Sequence, residues 1–213
     1  MPIDRPPETP DLALFDFDGT LTVRETFADF MRAATPSWRR YLGGLWFGPM
    51  YAGYKAGWVS GSRIRAEVVR FGFRGLPANA LRAAGEAFAR NVLPTRLDMR
   101  MMQRLDDHRR RGDVVAVVSG ALDVYLQPWC AQHGLPVICS RLQVVDRLVT
   151  GRYEGAQCVG EEKARRVRAA WDLSSFGEIH AYGDTAEDHA MLALAHRAYF
   201  RGRLMGAVGA RTI

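Results

Sequence analysis

The chain has 213 residues, of which 48% are apolar and 24% charged, enough for one compact domain, or for a core with a smaller insert. This excludes a disulfide-stapled miniprotein, a coiled coil and a disordered tail, and three irregularly spaced cysteines (Cys130, Cys139, Cys158) suit neither a disulfide framework nor a zinc site. The net charge of +6 is unevenly placed, with 11 Arg/Lys and 4 Asp/Glu in residues 23–94 and 18 against 19 in the remainder.

The first ten residues are polar and proline-rich, so they read as neither a signal peptide nor an anchor. No run reaches the roughly 18 apolar residues of a membrane span. The expectation is a soluble, cytoplasmic protein. Residues 11–16 form a short apolar run that ends in carboxylates and Gly19, a buried strand entering a turn. From about 24 to 93 the pattern is helical, broken at Pro36, Gly43-Gly44, Gly48-Pro49, Gly61 and Gly75-Leu76-Pro77. Residues 96–111 read as a helix stopped by Gly112, and Val114 to Val118 as a strand buried on both faces. A helix over 121–133 closes at Gly134. Next come a strand over 136–139, a hairpin over 142–153 turning near Asp146-Arg147, and a helix over 161–171. A strand over 178–182 and a helix over 186–195 complete the pattern. Strands alternating with helices predict an α/β fold with a parallel sheet, interrupted after its first strand by a helical insert.

Three polar sites follow predicted strands: Asp16-Phe17-Asp18-Gly19-Thr20, Ser119-Gly120, and Gly183-Asp184-Thr185-Ala186-Glu187-Asp188. The C-terminal ends of parallel strands share one edge of the sheet, where ligands bind, so these residues should converge. Carboxylates gathered there repel one another unless a cation lies among them, and oxygen-only donors favour Mg²⁺.

In order and spacing, Asp16 to Leu21, Val117 to Gly120, Lys163 and Gly183 to Asp188 resemble the four motifs of the haloacid-dehalogenase-like (HAD) hydrolases. The match runs from about Leu12 to Arg201, and an insert between the first and second motifs is similar to the C1 cap of the phosphoserine-phosphatase-like branch, subfamily IB. The resemblance implies a Rossmann-like core over 1–22 and 95–213 with a helical cap over 23–94. It implies a Mg²⁺-dependent phosphomonoesterase in which Asp16 is the nucleophile that forms an aspartyl-phosphate. Asp18 would protonate the leaving alcohol and then activate water. Asp16, the Asp18 backbone carbonyl and Asp184 would hold the metal. Ser119 and Gly120 would bind phosphoryl oxygens at a helix N-terminus, Lys163 would neutralise charge, and Asp188 would position Lys163 or the metal's waters. The chain departs from phosphoserine phosphatases at Glu187, where they usually carry Asn, and at Ala121, where they usually carry a second Gly.

Singly, several of these residues also fit structural roles. Ser119 and Asp184 can each serve as an N-cap, Thr185-x-x-Asp188 and Thr22-x-x-Glu25 resemble capping boxes, and Lys163 fits the surface of an amphipathic helix. Caps alone do not explain a buried strand ending in Asp-x-Asp, so the joint pattern favours chemistry at Asp16, Asp18, Asp184 and Lys163.

Substrate signals in the insert conflict. Glu25 falls where phosphoserine phosphatases place a Glu that binds the substrate amino group, which implies an amine-bearing ester of the phosphoserine or histidinol phosphate type. Yet seven aromatics (Trp38, Tyr41, Trp46, Phe47, Tyr51, Tyr54, Trp58) are interleaved with Arg39, Arg40 and Lys55. That mixture suits packing within the cap, a pocket for an apolar ester, or peripheral contact with anionic lipid. The alternative function is therefore a lipid-phosphate phosphatase of the phosphatidylglycerophosphate or lysophosphatidate type. A non-catalytic binding module ranks below these because every expected catalytic group is present. A nucleic-acid surface ranks last because the aromatics follow no RNA-binding motif. The expected partner is a small-molecule phosphomonoester; no oligomeric state follows from the sequence.

Overall fold

The computed structural model describes residues 9–43, 47, 58 and 60–205. A six-stranded sheet runs in the order β3-β2-β1-β6-β7-β8, built from β1 (Leu12–Phe15), β2 (Val114–Leu122), β3 (Val137–Ser140), β6 (Ile179–Gly183), β7 (Arg197–Phe200) and β8 (Arg203–Leu204). All neighbours are parallel except the final β7–β8 pair. β4 (Leu142–Val145) and β5 (Leu148–Tyr153) form a separate hairpin. Its two turn residues, Asp146 and Arg147, both have positive φ (48° and 64°), the twist that a two-residue hairpin requires.

β1 is the central strand and its four residues are fully buried. Successive side chains point to opposite faces. Ala13 and Phe15, with Val115 and Val117 of β2, enter one apolar cluster, while Leu12, Leu14, Ala116 and Val118 enter the other. The first face is covered by α1 (Phe27–Ala34), α2 (Gly61–Phe73), α3 (Ala78–Asn91), α4 (Met99–Arg111) and α5 (Asp123–Gln132), through Phe30, Phe73, Phe88, Leu105 and Tyr125 among others. The second is covered by α6 (Glu161–Ala170) and the short α7 (His189–Leu192), through Val167, Met191 and Leu192. Residues 37–43 are also helical. The helices α1 to α3 lie in the chain between β1 and β2, and their Phe30, Phe73 and Phe88 share one core with Tyr125 and Trp129 of α5.

Several boundaries differ from the sequence reading. The helix expected from residue 121 begins at Asp123, because β2 runs on through Ser119, Gly120 and Ala121 to Leu122, pairing with Ser140 across an irregular register. The helix expected over 186–195 is a 3₁₀ turn (Ala186–Asp188) followed by the single turn of α7. The helix expected from 96 starts at Met99, where Asp98 caps it by accepting from the Arg100 and Met101 amides. β7 and β8 carry no clear sequence signal; the first is a four-residue strand with only Ala198 buried. Trp38, Tyr41 and Trp58 are exposed by 61%, 79% and 87%, so they are not packed as cap core. Trp46, Tyr51, Tyr54 and Lys55 lie outside the described residues. Among the described residues, no helix is long and apolar enough to cross a membrane.

Gly85 lets α3 touch the start of α5, since a Cβ there would lie 1.9 Å from the Val124 carbonyl oxygen. An exposed mid-helix Gly→Ala change usually stabilises by about 1 kcal/mol. Here Gly85→Ala should instead destabilise by about 1–3 kcal/mol through overpacking, seen as a lower urea midpoint with an unchanged slope.

Candidate active site

The carboxylates of the first and fourth motifs meet because β1 and β6 are hydrogen-bonded neighbours, with Phe15 opposite Tyr182. Asp16 leaves β1 at this edge and is 5% exposed. The chain then turns irregularly through 17–21, with Gly19 at φ 79°. Gly19 is required twice over: its φ is left-handed, and a Cβ would stand 2.3 Å from Asp184 Oδ2. The turn is closed by Thr22, whose amide donates to the Phe17 carbonyl (3.0 Å) and whose Oγ1 accepts from the Gly19 amide (3.2 Å). Thr22 forms no capping box with Glu25; its hydroxyl donates to the Arg24 carbonyl at 2.8 Å.

Lys163, on α6, is 2% exposed, and its Nζ donates to Asp16 Oδ1 at 2.5 Å and Asp188 Oδ1 at 2.6 Å. It is not a surface lysine. Asp188 Oδ2 accepts from the amides of Asp184 (3.1 Å) and Thr185 (2.9 Å) and from Thr185 Oγ1 (3.1 Å). The capping box read at Thr185-x-x-Asp188 is therefore present, and its aspartate uses the second oxygen to hold the lysine. Single carboxylate oxygens of Asp16, Asp184 and Asp188 lie within 4.8 Å of one another.

One ammonium thus faces two buried carboxylates. Burial raises Asp188, but Lys163 and the two backbone amides outweigh it and hold its carboxyl below the usual range. For Asp16 desolvation prevails over the attraction of Lys163, and the neighbouring Asp188 adds to it, pushing the carboxyl up to about 7. Lys163 itself is raised: burial alone would lower it, and its two carboxylate partners more than compensate. Lys163 and Asp188 form the charged pair, and Asp16 is the surplus carboxylate. Asp184 is raised as well, chiefly by desolvation and then by Asp188. An all-oxygen set with surplus negative charge fits Mg²⁺.

The Asp18 carboxylate turns away from this cluster. Its Oδ1 accepts from the Thr26 amide (2.8 Å) and hydroxyl (2.6 Å), and the Thr26 hydroxyl also lies 3.3 Å from the Tyr125 hydroxyl. Burial pushes Asp18 up to about 6 despite the Thr26 hydrogen bonds. Ser119 is buried within β2, three residues before its end, and its Oγ accepts from the Ala121 amide at 3.2 Å. Ser119 and Gly120 are extended rather than at a helix N-terminus, which corrects the expectation that a helix dipole serves them. A Cβ at Gly120 would come 2.9 Å from Val159 Cγ1.

Asp184 faces a neighbouring cleft with Gly19 and Thr20. Asp16, Asp18, Ser119, Gly120, Lys163 and Asp188 line a cavity of about 50 Å³ together with Glu25, Phe27, Arg65 and Glu187. Glu25 stands exposed at its mouth. Arg65, from α2, was not anticipated. Its Nη2 donates to Glu187 Oε1 at 2.6 Å and its Nε to Gln157 Oε1 at 3.3 Å. As one of the 11 basic residues of 23–94, it carried no local signal. Glu162, the sequence neighbour of Lys163, accepts from Arg165 and Arg166. Arg166 in turn donates to the Cys139 and Ala156 carbonyls.

A family model described as haloacid dehalogenase-like hydrolase matches residues 13–193. Protein CicA of Caulobacter vibrioides (strain NA1000 / CB15N) is 29% identical over 195 residues, 90% of this chain and 86% of that protein. A protein of unknown function from Bordetella pertussis Tohama I has a similar solved structure (TM-score 0.71, 25% identity, 89% of each chain). A phosphoserine phosphatase solved as a phospho-aspartyl intermediate analogue is similar in fold (TM-score 0.64, 23% identity, 92% of this chain and 88% of that one).

Two outcomes follow from the charges. Lys163→Met leaves Asp16 and Asp188 buried without their cation, which should cost about 3–5 kcal/mol, read as a lower melting temperature in chelator. Glu162 is held down to about 2, chiefly by its hydrogen bond from Arg165, from an ordinary value of 4.5. Its depressed carboxyl contributes stability that is full above about 4.5 and is lost as pH falls through about 2. Glu162→Gln should flatten the acid limb of a stability–pH curve in that window and leave its slope above pH 5 unchanged.

Proposed function

The chain belongs to the haloacid dehalogenase-like hydrolases, with the fold of their phosphoserine-phosphatase-like members, and from that premise we propose that it is a Mg²⁺-dependent phosphomonoesterase acting on a small organic phosphate through Asp16. The observation that carries this reading is the surplus carboxylate: Asp16 lies buried beside Lys163 on the cavity wall, with Asp18 two residues away and held separately.

An Asp16 oxygen attacks phosphorus, the bond to the leaving oxygen breaks, and Asp18 delivers its proton to that oxygen. Water then loses a proton to Asp18 and attacks the same phosphorus, releasing phosphate and restoring Asp16. A carboxyl with a pKa near 6 is suited to both roles close to neutral pH. The carboxylates of Asp16 and Asp184, with the Asp18 carbonyl, would hold Mg²⁺, which supplies positive charge to offset repulsion between substrate and carboxylates. Asp188 positions Lys163, and Lys163 neutralises charge on Asp16 and the phosphoryl group. Ser119 Oγ and the Gly120 amide donate to phosphoryl oxygens. Glu25 and Phe27 line the cavity from the helical segment 23–94 acting as a cap, and Glu25 supports an amine on the leaving group.

A second reading, a lipid-phosphate phosphatase, is favoured by one observation. Trp38, Tyr41 and Leu42 lie at i, i+3 and i+4 of the helical residues 37–43 and are all exposed, beside Arg39 and Arg40.

Phosphate release from phosphoethanolamine, phosphoserine, lysophosphatidate and phosphatidylglycerophosphate, with Mg²⁺ or chelator, separates the two. The first reading expects Mg²⁺-dependent turnover of the small esters that falls at least about 10³-fold in Asp16→Asn. Turnover of the lipid esters alone would instead establish the second.

A further inference from the structure

The ionic groups that line the cavity are unequally committed. Among the described residues, Lys163 and Arg65 are the cationic side chains that line it. Lys163 is bound on two sides by Asp16 and Asp188. Arg65 is bound by Glu187 at 2.6 Å and by Gln157 at 3.3 Å, and Gln157 is itself fixed by donating to the Ser62 carbonyl at 2.7 Å. The Arg65 and Glu187 side chains are 21% and 38% exposed, so the pair sits at the rim, partly out of water. Glu25 is an anion at the same rim, and among the described residues no hydrogen bond or ion pair engages it.

A carboxylate on the leaving group would therefore meet two anions, Glu25 and Glu187. No hydrogen bond among the described residues engages Arg65 Nη1, but Glu187 already balances the guanidinium's charge, so an incoming carboxylate would share one cation with Glu187, one residue from Asp188 and three from Asp184. An ammonium on the leaving group meets Glu25 with no such competition. We infer that Glu187 is a specificity-determining residue, which occupies Arg65 from the core side and so restricts the substrate to phosphate esters of amino alcohols that carry no carboxylate. This deepens, and rests on, the reading of the site as a phosphomonoesterase.

The test compares kcat/KM for phosphoethanolamine and O-phosphoserine, with p-nitrophenyl phosphate as an ester that has neither group. Wild-type protein should favour phosphoethanolamine over phosphoserine by about fivefold, the upper scale of one screened ion pair lost or gained. Glu187→Gln keeps the side-chain shape and frees Arg65. It should shrink that ratio about fivefold, through a lower KM for phosphoserine rather than a higher kcat. Arg65→Gln leaves Glu187 unpaired and should widen the ratio, which keeps the inference exposed to failure if the first variant folds poorly. Wild-type preference for phosphoserine, or a ratio indifferent to both substitutions, would overturn the inference while p-nitrophenyl phosphate turnover leaves the phosphatase reading intact. No Mg²⁺-dependent turnover of any of the three esters would overturn the phosphatase reading and the inference together.

Discussion

A single ammonium held out of water between two carboxylates is what the rest of the site is arranged around. A buried Lys163 is tolerable only because Asp16 and Asp188 approach it from two different strands' ends, at 2.5 and 2.6 Å. That meeting depends on the sheet order, which sets β1 beside β6, and on α6, which crosses behind them to deliver the lysine. It depends also on residue type. A compact ammonium can serve two oxygens at one point, whereas a planar guanidinium would need a wider berth. In a chain with 27 arginines and two lysines, that requirement stands out.

The charge balance then divides the labour among similar side chains. Asp188 is stabilised by amides and the lysine, Asp16 is left in surplus, and Asp18 is turned onto Thr26 and insulated by Tyr125. Three aspartates within one cleft acquire different proton affinities from their surroundings alone.

Much of this frame was legible in the sequence because buried parallel strands leave short apolar runs and their ends carry the polar motifs. The runs at 12–15 and 114–118 and the hairpin turn at Asp146-Arg147 are of this kind. Where the reading failed, a long-range interaction overrode a local signal. Residues 121–122, read as the start of a helix, remain extended because β2 continues to Leu122, which pairs with Ser140 of β3. β7 has a single buried residue, and its place is set by pairing with β6. Glu187 was visible as a departure from phosphoserine phosphatases, but its partner Arg65, 122 residues away, has no local pattern to mark it.

The two ends of α2 are attached to the core by different forces. Its C-terminal half is buried through Val69 and Phe73 in the shared apolar cluster, while its first turns meet the core through Arg65–Glu187 and the Gln157–Ser62 contact. Salt weakens the Arg65–Glu187 pair of the second attachment and leaves the apolar first nearly untouched. Ionic strength therefore acts on this helix as on a door: it loosens the latch beside the cavity and spares the hinge.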